Sequence, residues 1–283
     1  MAMDRLSGRG GRTRAGGIVR MLFRGDTAAR MFGVFLILAL GVFAPSVGAL
    51  ANPTRIGLHG GLSIPSIQGG TNEVSEGYTS RLGPYFGLFT DFEVRPGFSV
   101  RGEINYASQG GQRNGMQPIT PDPSLGLPPD MLLYAAFDNE TILDYIEIPI
   151  MAKLTWGETL RFWIDGGPYV GFLVRAKTVT SGSSMLYVDA SGTPLTMPPD
   201  NQPLPPVDFS GETDIKQDVN STNAGIAGGL GLEFTYGPGD IVFEAHFSVG
   251  LTNIQKDVEL NGENRTGALA VIVGYAYPLG GSR

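Results

Sequence analysis

Eight stretches of this sequence alternate with a period of two, and along each the two faces differ in bulk as sharply as in polarity. They fall at about residues 54–64, 81–94, 98–109, 142–156, 160–177, 221–236, 240–251 and 266–279. A period of two puts successive side chains on opposite sides of a β-strand. One side carries Ile56, Leu58, Leu62, Phe86, Leu88, Ile104, Ile148, Ile150, Leu154, Ile164, Leu230, Val271 and Val273. The other interleaves charged residues with glycines such as Gly57, Gly61, Gly87, Gly167, Gly225 and Gly231. Glycine supplies 42 of the 283 residues, about twice the usual share. A closed barrel of eight strands is only wide enough inside for side chains to fill it. The bulky face therefore points outward and the small, charged face inward, as in a barrel that sits in lipid.

The connections alternate strictly between tight and long. Arg95-Pro96-Gly97, Gly157-Glu158-Thr159 and Gly237-Pro238-Gly239 read as hairpin turns. Stretches at about 65–80, 110–141, 178–220 and 252–265, rich in Pro, Gly, Asn and Asp, read as long loops. Tight turns at one end and long loops at the other are the pattern of bacterial outer-membrane barrels, with both chain ends on the periplasmic side. The expected fold is all-β, an eight-stranded antiparallel up-and-down transmembrane β-barrel. A soluble β-sandwich with an aromatic core is the competing reading, and it leaves the asymmetry of the connections unexplained. The proline-rich run TPLTMPPDNQPLPPVD, residues 193–208, is expected to be extended and solvent-facing.

Residues 1–51 read as an address. Seven arginines, from Arg5 to Arg30, precede the apolar run 31–44, and Val47, Ala49 and Ala51 follow. This is the pattern of a signal peptide with an extended basic n-region, and the run is shorter than the ~20 residues a membrane-spanning helix needs. Cleavage after Ala49 or Ala51 leaves residues 52–283 as the barrel domain, with 13 basic against 25 acidic residues. That balance argues against nucleic-acid binding.

Charge at bilayer depth is tolerated where it faces a polar lumen or a partner. The inward charges Arg101, Glu103, Glu147, Lys153, Arg161, Asp165, Glu233 and Glu244 are the candidate site, a network lying mostly in the half nearer the tight turns. Arg55, His59, Asn105 and His246 share their face, and Glu93 is expected to add to an excess of carboxylate. A salt-bridged plug is the expected outcome in so narrow an interior, and a conducting pore is the alternative. Phe92, Phe98, Trp156, Phe162, Phe234, Tyr236, Phe243, Tyr275 and Tyr277 all lie beside a tight turn or the C-terminus. They read as a periplasmic interface girdle.

Catalytic constellations are poor. The chain has no cysteine and two histidines, which disfavours thiolate, zinc and triad chemistry. Gly225–Gly231 precedes a strand rather than the helix that a phosphate loop requires. Asp208, Asp214, Asp218 and Asn220 lack the spacing of a calcium loop. His59 or His246 with Ser63, Ser248 and Glu244 makes a hydrolase conceivable, but outer-membrane hydrolases of this kind are usually wider barrels with their catalytic groups on the outer face. The expectation is a chain with no catalytic role, metal or cofactor.

The segment YIEIPIMAKLTWGETLRFWIDGGPYVGFLV, residues 145–174, resembles the PorT-like outer-membrane β-barrel family, in which an E-x-P strand, a short turn and a G-P-Y-x-G strand follow one another. The resemblance extends more weakly to IGLHGGLSI, NAGIAGGLGLEF, FEAHFSVGLTNI and VIVGYAYPL, covering most strands and none of the loops. It implies eight strands in the bacterial outer membrane, with membrane lipid and the barrel-assembly machinery as partners, and no single shared activity. Gly274, Tyr277 and Leu279 resemble the barrel-assembly signal, although Gly280–Arg283 follow where many such chains end on an aromatic. Pro149 and Pro168 fall inside the family-like strands, and a bulge at each is expected to absorb the missing N–H. Three roles compete. One is a structural or interaction scaffold whose long loops meet an extracellular partner. Another is a narrow ion or hydrophobic-ligand channel, with Met131, Leu132, Leu133, Tyr134 and Phe137 covering an entry or, more simply, extending a strand. The third, taken from the family name, is an accessory part in protein secretion.

Overall fold

The computed structural model describes residues 55–121, 125–128 and 131–279. The expected signal peptide at 1–51, its cleavage position and Gly280–Arg283 lie outside these residues. Eight long strands follow one another: β1 (Arg55–Gly69), β2 (Gly83–Arg95), β3 (Phe98–Ile119), β4 (Leu133–Trp156), β5 (Leu160–Ser181), β6 (Thr222–Tyr236), β7 (Gly239–Gly250) and β8 (Asn264–Pro278). Each pairs antiparallel with its chain neighbours, and β1 pairs with β8 from Arg55 opposite Pro278 to Gly69 opposite Asn264. The sheet thus closes on itself, which satisfies the backbone within the protein as lipid requires. Leu58 and Val271, on the outer face, are 61% and 63% exposed. A whole belt of such residues is stable against hydrocarbon and not against water.

The interior departs from the expectation of small residues alone. Phe89, Trp163, Tyr85, Tyr145, Tyr169 and Met151 point inward and are buried. The inward glycines are their complement. A Cβ on Gly57 would overlap the Phe89 ring, and one on Gly231 or Gly225 would come within 2.5 Å of Trp163 or 2.7 Å of Tyr169. Glycine here is the space that large rings occupy, so the lumen is packed rather than hollow.

No bulge forms at either proline. Pro149 pairs with Tyr169 and Pro168 with Ile226, and the ladders keep register past both. Instead they skip Ile150 and Met151 opposite Gly167 and Pro168, and Glu103 and Ile104 opposite Ile148 and Pro149. Leaving out a bond preserves the alternation that keeps Glu147 and Lys153 inward, which a one-residue slip would reverse. The register shift lies higher, at Asp144–Tyr145 against Leu173–Arg175, where inward parity passes from Leu173 to Ala176.

Much of the expected long-loop sequence is strand. Gln112–Ile119 pairs with Leu133–Glu140 over eight residue pairs beyond the apolar belt, roughly 25 Å of hairpin at about 3.4 Å per residue. Leu133, Tyr134 and Phe137 therefore belong to β4. The run 193–208 is not simply extended: Thr196–Met197 pairs with Gln202–Pro203, and Ser183–Ser184 with Val207–Asp208. The reason is apolar surface on the hairpin. Leu133, Ala135 and Phe137 pack with Leu186 and Leu195 in a small second core, and Phe137 stacks on Phe209 with ring centres 4.5 Å apart. At the tip Asp189 accepts hydrogen bonds from Ser191 and Thr193, which hold its carboxyl below the usual range. Leu195, only 5% exposed, anchors this lobe. Leu195→Asp is expected to open residues 182–209 to limited proteolysis at least tenfold faster while the barrel stays folded, since a buried leucine contributes about 1.5–3 kcal/mol. Unchanged cleavage would show that the lobe does not depend on this core.

Candidate functional site

Seven of the eight strands send an ionic side chain into the short-turn half of the lumen: Arg55, Asp91, Arg101, Lys153, Arg161, Glu233 and Asp240, on β1 to β7 in turn. Arg55 lies 2.6 Å from Asp91, 2.8 Å from Glu233 and 3.2 Å from Asp240. Because β1 borders only β2 and β8, the contacts with β6 and β7 cross the lumen. Lys153 stands 3.4 Å from Asp91 and 3.5 Å from Glu233. Arg161 stands 3.0 Å from Glu233 and 2.8 Å from Asp240, as close ion pairs whose N–H groups are not aligned for hydrogen bonds. Four cations and three carboxylates thus form a belt across the short-turn end.

Arg101 joins this belt to the tier above. Its Nε donates to Asp91 at 2.7 Å, and its guanidinium carbon lies 4.4 Å from the Phe89 ring and 4.8 Å from Trp163. Its Nη1 faces Asp165, Glu244 and Glu103 at 3.5, 3.6 and 3.8 Å. Asn105 donates through Nδ2 to Glu103 at 2.8 Å and to the Tyr85 hydroxyl at 2.7 Å. That leaves its carbonyl oxygen to accept from His59 Nε2 at 2.9 Å. Tyr85 meets His246 Nε2 at 3.3 Å, and His246 Nδ1 meets Glu244 at 3.0 Å. The polar ring therefore closes on Arg101 from both sides. Higher still, Glu147 accepts from Gln109 at 2.9 Å. Ile67, Leu143, Leu173 and Ala176 then cluster with Val219 and Ile254 from the loops, an apolar cap at the long-loop end.

A family comparison agrees with this architecture: residues 45–256 match the family described as outer membrane protein beta-barrel domain. The chain belongs to that family. No curated protein matches the sequence. Among solved structures, this outer-membrane barrel is similar to Ail, the attachment invasion locus protein of Yersinia pestis, at 13% identity and a TM-score of 0.35, over 80% of this chain and 100% of that one. Neisserial surface protein A matches at 6% identity and 0.35, over 79% and 97% of the two chains. OprG of Pseudomonas aeruginosa matches at 10% identity and 0.35, over 80% and 97%.

Within the barrel, the structure brings together seven of the eight sequence-derived lumen residues as ion pairs: Arg101, Glu103, Lys153, Arg161, Asp165, Glu233 and Glu244. The eighth, Glu147, is held by Gln109. Glu93 is exposed beside the first tight turn, and the expected excess of carboxylate is not at that end: the belt there has more cations than carboxylates, and Glu103, Asp165 and Glu244 meet Arg101 in the tier above. Asp91 and Asp240 are the carboxylates that sequence reasoning missed, and Arg55 proves central. Asp91 lies two residues from Glu93 on the same face, so parity could have found it. Asp240 follows Pro238-Gly239 and reads as part of a turn.

The sequence-derived aromatics lie on the outside at the short-turn end. Trp156, Phe162, Phe243, Tyr236 and Tyr277 are exposed, and Phe92, Phe98, Phe234 and Tyr275 are half-buried. Phe234 stacks on Phe243 with centroids 6.2 Å apart, and Tyr275 donates to the Tyr236 carbonyl.

Proposed function

We propose that this outer-membrane barrel is a closed scaffold, sealed to ions, whose working surface is the structured lobe at its long-loop end. The observation that carries the reading is the reach of Arg55 across the lumen to Glu233 and Asp240 while it holds Asp91. One guanidinium thereby ties together strands on opposite walls. The apolar cap at the other end supports the same conclusion, since a dry, packed constriction is a barrier to ions. In this reading the long loops face outside the cell, and the small core built from Leu133, Phe137, Leu186 and Leu195 holds a fixed shape for an extracellular partner. We further infer a non-catalytic role. Both histidines are committed to the lumen network, His59 to Asn105 and His246 to Glu244. The finer resemblance to PorT-like barrels rests on β4 and β5, and it would set the lobe beside a secretion apparatus. Membrane lipid and the barrel-assembly machinery are the partners that the fold and the outer-membrane location call for.

Planar-bilayer recording of the purified barrel tests the seal. The expected result is no discrete conductance for the wild type, and small cation-selective steps for Arg55→Ala/Arg161→Ala, which strips the belt of two cations. Reproducible open steps in the wild type would overturn the closed reading in favour of a narrow channel.

A further inference from the structure

A groove breaks the apolar belt on the outside of the barrel. It crosses β1 to β4 with a volume of about 440 Å³, lined on one side by Leu58, Leu88 and Ile104 and on the other by Phe86, Tyr106 and Ile146. The strand register sets these walls: Leu58 lies opposite Leu88 and Leu88 opposite Ile104, while Phe86 lies opposite Tyr106 and Tyr106 opposite Ile146. Outward side chains two residues apart stand in successive rows, and the groove is the space between two of them. Phe86 and Tyr106 stack with ring centres 4.9 Å apart, which stiffens one wall. A cleft of this size suits a single apolar chain.

Towards the long loops the outer face turns ionic. Ser108, Asp144 and Arg175 are neighbours in the next row, two residues or about 7 Å beyond Tyr106 and Ile146. Asp144 has outward parity, between Leu143 and Tyr145 of the interior cluster. Ser108 Oγ donates to its carboxylate at 2.6 Å and Arg175 Nε at 2.7 Å, and the Tyr106 hydroxyl bonds to the same group. The register shift here turns Arg175 outward, since Val174 and Arg175 are both exposed between the buried Leu173 and Ala176. Asp144 is buried, whereas the Arg175 side chain is 55% exposed. Beside it the exposed Lys216 donates to the Val174 carbonyl at 2.8 Å. Lys177 is held by Glu212, and Asp214 accepts from the Lys216 backbone N–H. An ion pair on a lipid-facing wall is costly unless polar groups meet it. With Nε anchored on Asp144, the guanidinium offers its remaining N–H groups in a fixed fork, the geometry that recognises phosphate oxygens.

We propose that the groove and Arg175 form one lipid site. It holds a phosphate-bearing lipid of the leaflet at the long-loop end, with an acyl chain between the two side-chain rows and the phosphate on Arg175 beside Lys216. Tyr106 joins the halves, because its ring walls the groove and its hydroxyl touches the carboxylate that holds Arg175. The site goes beyond the closed-scaffold reading and uses none of the lumen.

The test is native mass spectrometry of the barrel, freed of lipid in detergent and titrated with dioleoyl phosphatidate or dioleoyl glycerol. One phosphatidate per barrel is expected, held about tenfold more tightly than the glycerol lipid that lacks the charged phosphate. Arg175→Gln is expected to abolish that preference. Because it leaves Asp144 unpaired, Ile104→Trp is the second variant: position 104 is 58% exposed on the outer face, and the larger ring should fill the groove and weaken phosphatidate binding several-fold without unfolding the barrel. Equal retention of the two lipids, or many copies of either, would overturn the proposal in favour of an ordinary lipid coat. So would phosphatidate binding that both variants keep, inorganic phosphate binding as tightly as phosphatidate, or a second copy of the chain taking the place of lipid. Bilayer conductance reports the seal and lipid retention reports this site, so each reading can fail without the other.

Discussion

Replacing Arg101 by alanine is expected to cost the barrel about 3–5 kcal/mol, the largest effect of any single lumen substitution. Removing one partner of a buried ion pair leaves the other charge unpaired in low dielectric, and that penalty lies in this range. Arg101 faces four carboxylates, Asp91, Glu103, Asp165 and Glu244. It is 0% exposed and packs between the rings of Phe89 and Trp163, so alanine also leaves a void between two aromatics. Lysine restores the charge but not the flat, forked guanidinium that meets Asp91 through two nitrogens, and Arg101→Lys should recover only part of the loss. Urea unfolding in lipid vesicles, followed by the change in gel mobility on heating, measures both. Wild-type stability in Arg101→Ala would show that the belt and the carboxylate tier are not coupled through this residue.

A second large effect is expected at the wall itself. A Cβ on Gly61 would overlap the carbonyl oxygen of Val271, and one on Gly167 that of Ile150. These are backbone atoms of the adjacent strand, so no rotamer change relieves the clash. Overpacking in a tight interior costs about 1–3 kcal/mol, occasionally more, and here the pairing of β1 with β8 or of β4 with β5 must part. Gly61→Val should exceed Gly61→Ala and leave much of the protein unable to reach the folded, heat-modifiable form. Gly211→Ala is the control, because a Cβ there meets nothing within 4 Å. If Gly61→Val and Gly211→Ala refold with equal yield, the close approach of β1 and β8 is not what requires glycine.

The two substitutions mark where sequence and tertiary structure part. Glycine at position 61 is legible as an inward position from alternation alone, since Leu58 and Leu62 lie on one parity and Gly57, His59 and Gly61 on the other. Arg101, Glu103 and Asp165 are legible as lumen residues by the same rule. That rule assigns a side chain to a face and says nothing of which side chain it meets across the barrel. Trp163 shares parity with Arg161 and Asp165, yet the small, charged residues around it conceal that a large ring lies inside.

By itself the sequence determined the class of fold, the eight strands, the end that carries tight turns and most of the charged residues that point inward. Each follows from short-range physics: side chains alternate along a strand, Pro-Gly sequences turn the chain, and a strand face made of apolar residues alone suits lipid. Only the tertiary structure decided the partners. Arg55 meets Glu233 and Asp240 because closing β1 on β8 carries its guanidinium to the opposite wall, a distance set by the stagger and tilt of the whole sheet. It likewise decided that the loop at 182–209 folds, since the apolar surface that covers Leu195 is supplied by the distant hairpin of β3 and β4. Contacts between non-neighbouring strands and between loops depend on where closure places them, and no local pattern along the chain records that.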